Sequence, residues 1–215
     1  IGAGSWGISL ATLLARKEHP VRLWARNKND IDQLNQARTS RFLPDSTIHN
    51  NISGYHDLNA ALSDIETIVI ATPSKAFHSI CQKILSHAQN PVRVAWGTKG
   101  IDPVSGELLH TVAKRLFPNN TPLAVLSGPS FAKEIMTDTP TAVSLAGNDT
   151  AFIQDLIYAF HSDKFRVYHN HDMTGVELCG VFKNVLAIGI GIADGLGLGY
   201  NAQAALITRG FAEMQ

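Results

Sequence analysis

The chain has 215 residues, 45% hydrophobic and 17% charged. It is long enough for one large core or two smaller ones and too apolar for a disordered segment. Lys and Arg total 18 and Asp and Glu total 18, so no global field draws the chain to nucleic acid or to an acidic membrane.

The opening residues read IGAGSWG. Gly2, Gly4 and Gly7 complete a G-x-G-x-x-G fingerprint, which sits between a buried strand and a helix in dinucleotide-binding folds. Gly2 permits the tight turn, Gly4 lets backbone approach a pyrophosphate, and Gly7 lets the helix pack close on the sheet. A helix opening at Ser5 or Trp6 aims unpaired N–H groups at the phosphates. A purely structural glycine turn is the competing reading. Ile1 is expected to be the last residue of a strand, with a short apolar run upstream.

Helical spacing follows over 7–17, with Ile8, Leu10, Ala11 and Leu14 on one side. A strand is predicted over 20–26, PVRLWAR. An NAD-preferring site places a carboxylate near the end of that strand for the ribose 2′-OH. Here the place holds Ala25 and Arg26, and no carboxylate comes before Asp30. Arg26 can pair with a 2′-phosphate, which predicts NADP(H) as the preferred cofactor and NAD(H) as the second. The competing reading leaves Arg26 as a solvated surface group.

Further strands are predicted over 65–73, 92–100, 122–130, 141–147 and 165–170. Helices are predicted over 57–63, 76–87, 106–117 and 150–161. This alternation argues for an α/β, Rossmann-like, mostly parallel sheet with helices on both faces. Strand ends are where such sheets bind ligands, and three of them carry unusual chemistry: IATPS, WGTKG and LSGPSFAKE. Lys99, the hydroxyls of Ser127 and Ser130, and the open backbone at Gly128 suit a phosphate or an oxyanion. Each alone reads more readily as a turn residue or a solvated lysine.

The pattern changes near His171. Residues 173–195 read as one long glycine-containing helix and 202–215 as a second, still amphipathic at its last residue. Residues 1–170 are therefore expected to form a dinucleotide-binding domain, and 171–215 the start of an all-helical domain. The most apolar late stretch, 185–193, falls far short of the roughly 20 residues of a membrane span, so no membrane insertion is expected. Cys81 and Cys179 make neither a disulfide framework nor a metal motif. A reducing cytoplasm is the expected compartment and no metal is expected.

Lys183 lies among Val181, Phe182, Val185 and Leu186. Partial burial and a nearby cation such as Lys99 would lower its pKa toward that of a useful base. A snorkelling lysine is the even alternative. Among the nine histidines, His78, His87 and His110 fall on predicted surface helices. His169 and His171 flank the domain boundary and compete for the role of base.

Taken together, GAGSWG, LWAR, FLPD, TKG, SGPSFAKE, GVELCGVFKNVLAIGIGIADG and GLGYNAQAALITRG closely resemble bacterial NAD(P)+-dependent glycerol-3-phosphate dehydrogenase. The resemblance implies reversible reduction of dihydroxyacetone phosphate to sn-glycerol 3-phosphate, a precursor of phospholipids, by a cytoplasmic homodimer. It implies that Ser5, Trp6, Arg26, Lys99 and Ala132 contact the cofactor. Lys99, Gly128, Ser130 and Lys183 then contact a three-carbon phosphate, with Lys183 as proton acceptor and Lys99 as the second catalytic lysine. In the family an aspartate and an SRN-like block follow later; here there is no Asp after Asp194, and the later arginine is Arg209. The residues at hand are thus expected to form only part of the site. A 3-hydroxyacid or 6-phosphogluconate-type dehydrogenase and a non-catalytic nucleotide-binding module are the alternatives.

Overall fold

The computed structural model describes residues 1–214. The glycine turn runs into α1 (Ser5–Arg16), which buries Ile8, Leu10, Ala11 and Leu13. Then come β1 (Val21–Trp24), α2 (Lys28–Ala37), β2 (Ile52–Tyr55), α3 (Leu58–Leu62) and β3 (Thr67–Ile70). They are followed by α4 (Ser74–His87), β4 (Arg93–Trp96), α5 (Leu109–Leu116) and β5 (Leu123–Ser127). The chain continues through α6 (Ala132–Met136), β6 (Thr141–Gly147), α7 (Thr150–Phe160) and β7 (Phe165–His169). It ends in two helices, α8 (Met173–Gly195) and α9 (Gly199–Met214).

Three of these elements carry little sequence signal. α2 is mostly polar and buries only Ile31 and Leu34; its start is fixed by the Asn27 side chain, which accepts from Asn29 N–H at 2.9 Å. β2 is four residues long and contains Gly54. The amide of Asn35 answers both polar groups of Gly54, accepting from its N–H at 2.7 Å and donating to its carbonyl at 3.0 Å. That side chain pairs an edge strand that the sheet does not cover. α6 is a single short turn behind the SGPSF stretch.

Strands β3, β4 and β5 run parallel. β6 is antiparallel to β5, and β7 is parallel to β6. β1 and β2 form a separate parallel pair. Ile1 and Gly2 bridge the two sheets: Gly2 N–H donates to Trp24 O at 2.8 Å, Ile1 N to Val69 O at 2.6 Å, and Ala71 N–H to Ile1 O at 2.8 Å. Ile1 thus pairs with β3 and Gly2 with the end of β1. An apolar groove of about 430 Å³, lined by Val21, Leu23, Ala61, Ile68 and Phe152, continues from Ile1 between the same two strands.

Parallel pairing brings the carboxyl ends of β1, β3, β4 and β5 to one edge, where Arg26, Thr72, Lys99 and Gly128 follow them. The core behind that edge is anchored by Trp96, fully buried and edge-on to Phe77 at 5.5 Å between ring centroids. Each such side chain contributes on the order of 1.5–3 kcal/mol by burial.

α8 packs on β5, β6 and α5, and α9 packs back on α8. The start of α8 is capped by Asp172, whose carboxylate accepts from Gly175 N–H at 2.9 Å. At 23 residues and with a mean hydropathy of 1.7 over its most apolar window, α8 is long and apolar enough to cross a membrane. The stretch 185–193 is only the most apolar part of this helix, which begins at Met173. Past Lys183, the α8 side chains Val185, Ile188 and Ile192 are exposed.

Candidate active site

The glycine turn is shaped by backbone contact. Gly2 has φ +108°, and a Cβ there would stand 2.9 Å from the Ala71 carbonyl oxygen. A Cβ at Gly7 would meet the Gly2 carbonyl oxygen at 1.8 Å, so only glycine lets α1 come this close to the turn. A Cβ at Gly4 would meet nothing within 4 Å.

Gly4 is also the N-cap of α1, with no side-chain cap and no acidic residue in the first turn. The first helical bond runs from Ile8 N–H to Gly4 O at 3.0 Å. The N–H groups of Ser5, Trp6 and Gly7 are therefore free of helical partners, and the turn is open at Gly4. That donor set fits the pyrophosphate of a dinucleotide. Beside the turn, the hydroxyl of Thr72 is buried without a partner.

Two contacts fix the turn to neighbouring strand ends. The Trp6 indole N–H donates to Gly97 O at 2.9 Å. The buried Ser9 hydroxyl reaches both Ser5 O at 2.9 Å and Ala132 O at 3.0 Å. Ala132 is thereby held against the start of α1, although the two are far apart in sequence.

Arg26 is exposed just past β1 and has no ion pair among the described residues. Asp30, the first carboxylate after it, is taken: Arg41 Nε lies 2.8 Å from its Oδ1, and Arg41 donates to its Oδ2 at 3.0 Å. This bidentate pairing leaves a cation at the strand end and no uncommitted acid.

Lys99 sits in the next crevice. Its ammonium donates to Gly128 O at 2.9 Å and lies 3.5 Å from the Ser130 hydroxyl. It also stands 5.4 Å from the centre of the Trp6 ring. Burial, and secondly the positive charge of Lys183, lower its pKa to about 8.

Lys183 comes from α8 and is half-buried, with its ammonium 4.9 Å from the centre of the Phe131 ring. Asn184 beside it is exposed. The helix comes near because of Gly180: a Cβ there would lie 2.7 Å from the Ser127 hydroxyl and 3.8 Å from Lys99 Cγ. Lys99, Gly128, Ser130 and Lys183 thus converge, and Trp6 links them to the glycine turn.

The histidines divide. His169 and His171 face one another at 4.4 Å at the exposed end of β7. His110 is not a plain surface residue. Its ring is 12% exposed, and its Nδ1 lies 2.7 Å from the buried carboxylate of Glu177. Sequence reading passed over Glu177, Phe131 and the stacking role of Trp6. The available signal was a lone carboxylate in the apolar first turns of the Lys183 helix.

The model of the NAD-dependent glycerol-3-phosphate dehydrogenase N-terminus matches residues 1–153, and that of its C-terminus matches residues 172–215. The chain belongs to this family. Glycerol-3-phosphate dehydrogenase [NAD(P)+] of Coxiella burnetii is 47% identical over 215 residues, and that of Bartonella henselae 46% over 216. Both alignments take in all of this chain and 64% of the relative, so the chain spans less than two thirds of the length of these dehydrogenases. The crystal structure of the Coxiella burnetii dehydrogenase superposes with a TM-score of 0.94 at 48% identity, covering 99% of this chain and 65% of that one. The Rossmann-like sheet followed by helices is common to both.

Proposed function

We propose that the protein is an NAD(P)H-dependent dehydrogenase that reversibly reduces dihydroxyacetone phosphate to sn-glycerol 3-phosphate, supplying glycerophospholipid synthesis. The observation that carries this reading is the convergence of Lys99 and Lys183 beside the open amino end of α1, in a chain matched by both halves of the family. Residues 1–170 would hold the dinucleotide, and 171–215 would begin the helical part that covers the substrate. Two thiols without partners, Cys81 and Cys179, suit a cytoplasmic enzyme.

Gly2, Gly4, Ser5, Trp6 and Gly7 would cradle the pyrophosphate, with Ala132 packed alongside. Arg26 would take the 2′-phosphate, so NADP(H) is preferred and NAD(H) accepted. When bound, the nicotinamide supplies or accepts the hydride. The remaining work falls to the chain. Lys99, Gly128 and Ser130 bind and orient the anionic substrate. During reduction the Lys183 ammonium gives a proton to the oxygen that becomes the secondary alcohol; during oxidation the neutral amine takes it back. The Trp6 and Phe131 rings stand against the Lys99 and Lys183 ammonium groups and orient them.

The test compares substrates in the intact protein. Dihydroxyacetone phosphate should drive consumption of NADPH, and 6-phosphogluconate or a short 3-hydroxyacid should not reduce NADP+. Turnover of the latter and not of the former would overturn the reading in favour of the other lysine-bearing dehydrogenases.

A further inference from the structure

Glu177 is a buried carboxylate, and the mechanism above makes no use of it. Its side chain is 3% exposed. As a carboxylate it accepts from Trp96 Nε1–H at 2.8 Å and from the backbone N–H of His110 at 3.1 and 3.2 Å, and its Oε2 lies 2.7 Å from His110 Nδ1. These partners come from two elements besides its own. Trp96 ends β4, and His110 is in the first turn of α5.

What those elements carry gives the contact its meaning. The chain leaves β4 at Trp96 and passes through Gly97 and Thr98 to Lys99. Gly97 receives the Trp6 indole, and the Thr98 hydroxyl donates to Thr72 O at 2.9 Å. The loop bearing Lys99 is thus stiff, and Trp96 is its root. On α8, Glu177, Gly180 and Lys183 follow one another at three-residue spacing, a single ridge on the helix surface. Glu177 grips the root of the Lys99 loop, Gly180 touches Ser127, and Lys183 reaches the site.

We propose that Glu177 is a positioning residue: by joining Trp96 and the start of α5 to α8, it fixes the separation of Lys99 and Lys183. The proposal rests on the two-lysine reading of the active site. It assigns Glu177 no contact with substrate or cofactor.

The separation can be read at Lys99. The groups facing its ammonium are Lys183 from α8, the Ser130 hydroxyl and Gly128 carbonyl beyond β5, and the Trp6 ring from α1. Loosening the α8 tie draws Lys183 away and opens the crevice to water. Both changes raise the pKa of Lys99. Losing the negative charge of Glu177 by itself would lower it. The sign therefore separates positioning from a direct charge effect.

The experiment measures the pH dependence of Lys99 labelling by a soluble amine-reactive reagent, read by peptide mass spectrometry on the intact protein. Glu177→Leu should raise the midpoint from about 8 toward the ordinary lysine value of about 10.4. Glu177→Gln keeps a carbonyl acceptor for Trp96 and should return it most of the way. Trp96→Phe keeps a ring against Phe77, removes the N–H donor, and should shift the midpoint as Glu177→Leu does; it decides the matter if the leucine variant fails to fold. In parallel, kcat/KM for dihydroxyacetone phosphate should fall by about 10²-fold in the leucine variant, a typical cost of misplacement by about 1 Å, with the Kd for NADPH unchanged.

A midpoint that stays or falls in Glu177→Leu and Trp96→Phe overturns the proposal. So does a glutamine variant shifted as far as the leucine one. If the parent protein turns over no dihydroxyacetone phosphate, the functional reading fails, and the labelling result still decides the role of Glu177.

Discussion

The Lys99 ammonium donates to the carbonyl of Gly128 at 2.9 Å, which joins the strand end of WGTKG to that of SGPS across one crevice. The contact places a cation at the carboxyl ends of β4 and β5, with the hydroxyl of Ser130 beside it.

The pH behaviour of Lys99 follows from its lowered pKa of about 8. Substrate binding through its charge weakens as pH rises through that value, so KM for dihydroxyacetone phosphate should climb above pH 8. Stability moves the other way. Between about 8 and the unfolded value near 10.4, the unfolded chain binds more protons at this site, so folding gains with rising pH. Relative to the parent, Lys99→Met should therefore gain more in Tm at pH 7 than at pH 9.5. An equal Tm difference at both pH values would contradict the assigned shift.

Cofactor choice should reside at Arg26. Arg26→Asp removes the free cation where Asp30 is already held by Arg41. A charge-assisted hydrogen-bond set is worth about 1.5–3 kcal/mol, so the preference for NADPH over NADH should fall by roughly 10- to 100-fold. Kinetics with both cofactors reads this directly. An unchanged ratio would return Arg26 to the solvated surface.

Two glycines of one turn should behave oppositely. At Gly4 an added Cβ projects into open space, at φ −74°, which alanine tolerates. Gly4→Ala should keep its Tm and lose at least about tenfold in NADPH affinity, because the methyl enters the pyrophosphate space. Gly7→Ala brings a Cβ within 1.8 Å of backbone oxygen and should lower stability by about 1–3 kcal/mol or more. Thermal melts with NADPH titrations test both. A Gly4→Ala protein that binds NADPH normally would exclude the turn as the cofactor cradle.

The parts of the fold that depend on periodic apolar burial were legible in the chain: α1 from Ile8 and Leu10, β3 from its Val and Ile run, and the change to helices near His171. α2 and β2 were not, because one is polar with two buried residues and the other is held by the side chain of Asn35 rather than by its own pattern. Reversal of β6 against β5 leaves no mark in composition. Lys99, Gly128 and Ser130 were legible as chemistry at strand ends. Lys183 became legible through the motif around it. Glu177 stayed hidden because its partners, Trp96 and His110, are distant in sequence and meet it only through packing.

The central claim is that Lys183 moves the proton while the opening glycine turn holds the cofactor. It is tested most directly by single-turnover reduction of dihydroxyacetone phosphate by NADPH-loaded Lys183→Ala in the intact protein. The account predicts an NADPH Kd within about twofold of the parent and a rate lower by about 10²- to 10⁴-fold. A rate equal to the parent's at the same NADPH affinity would contradict it.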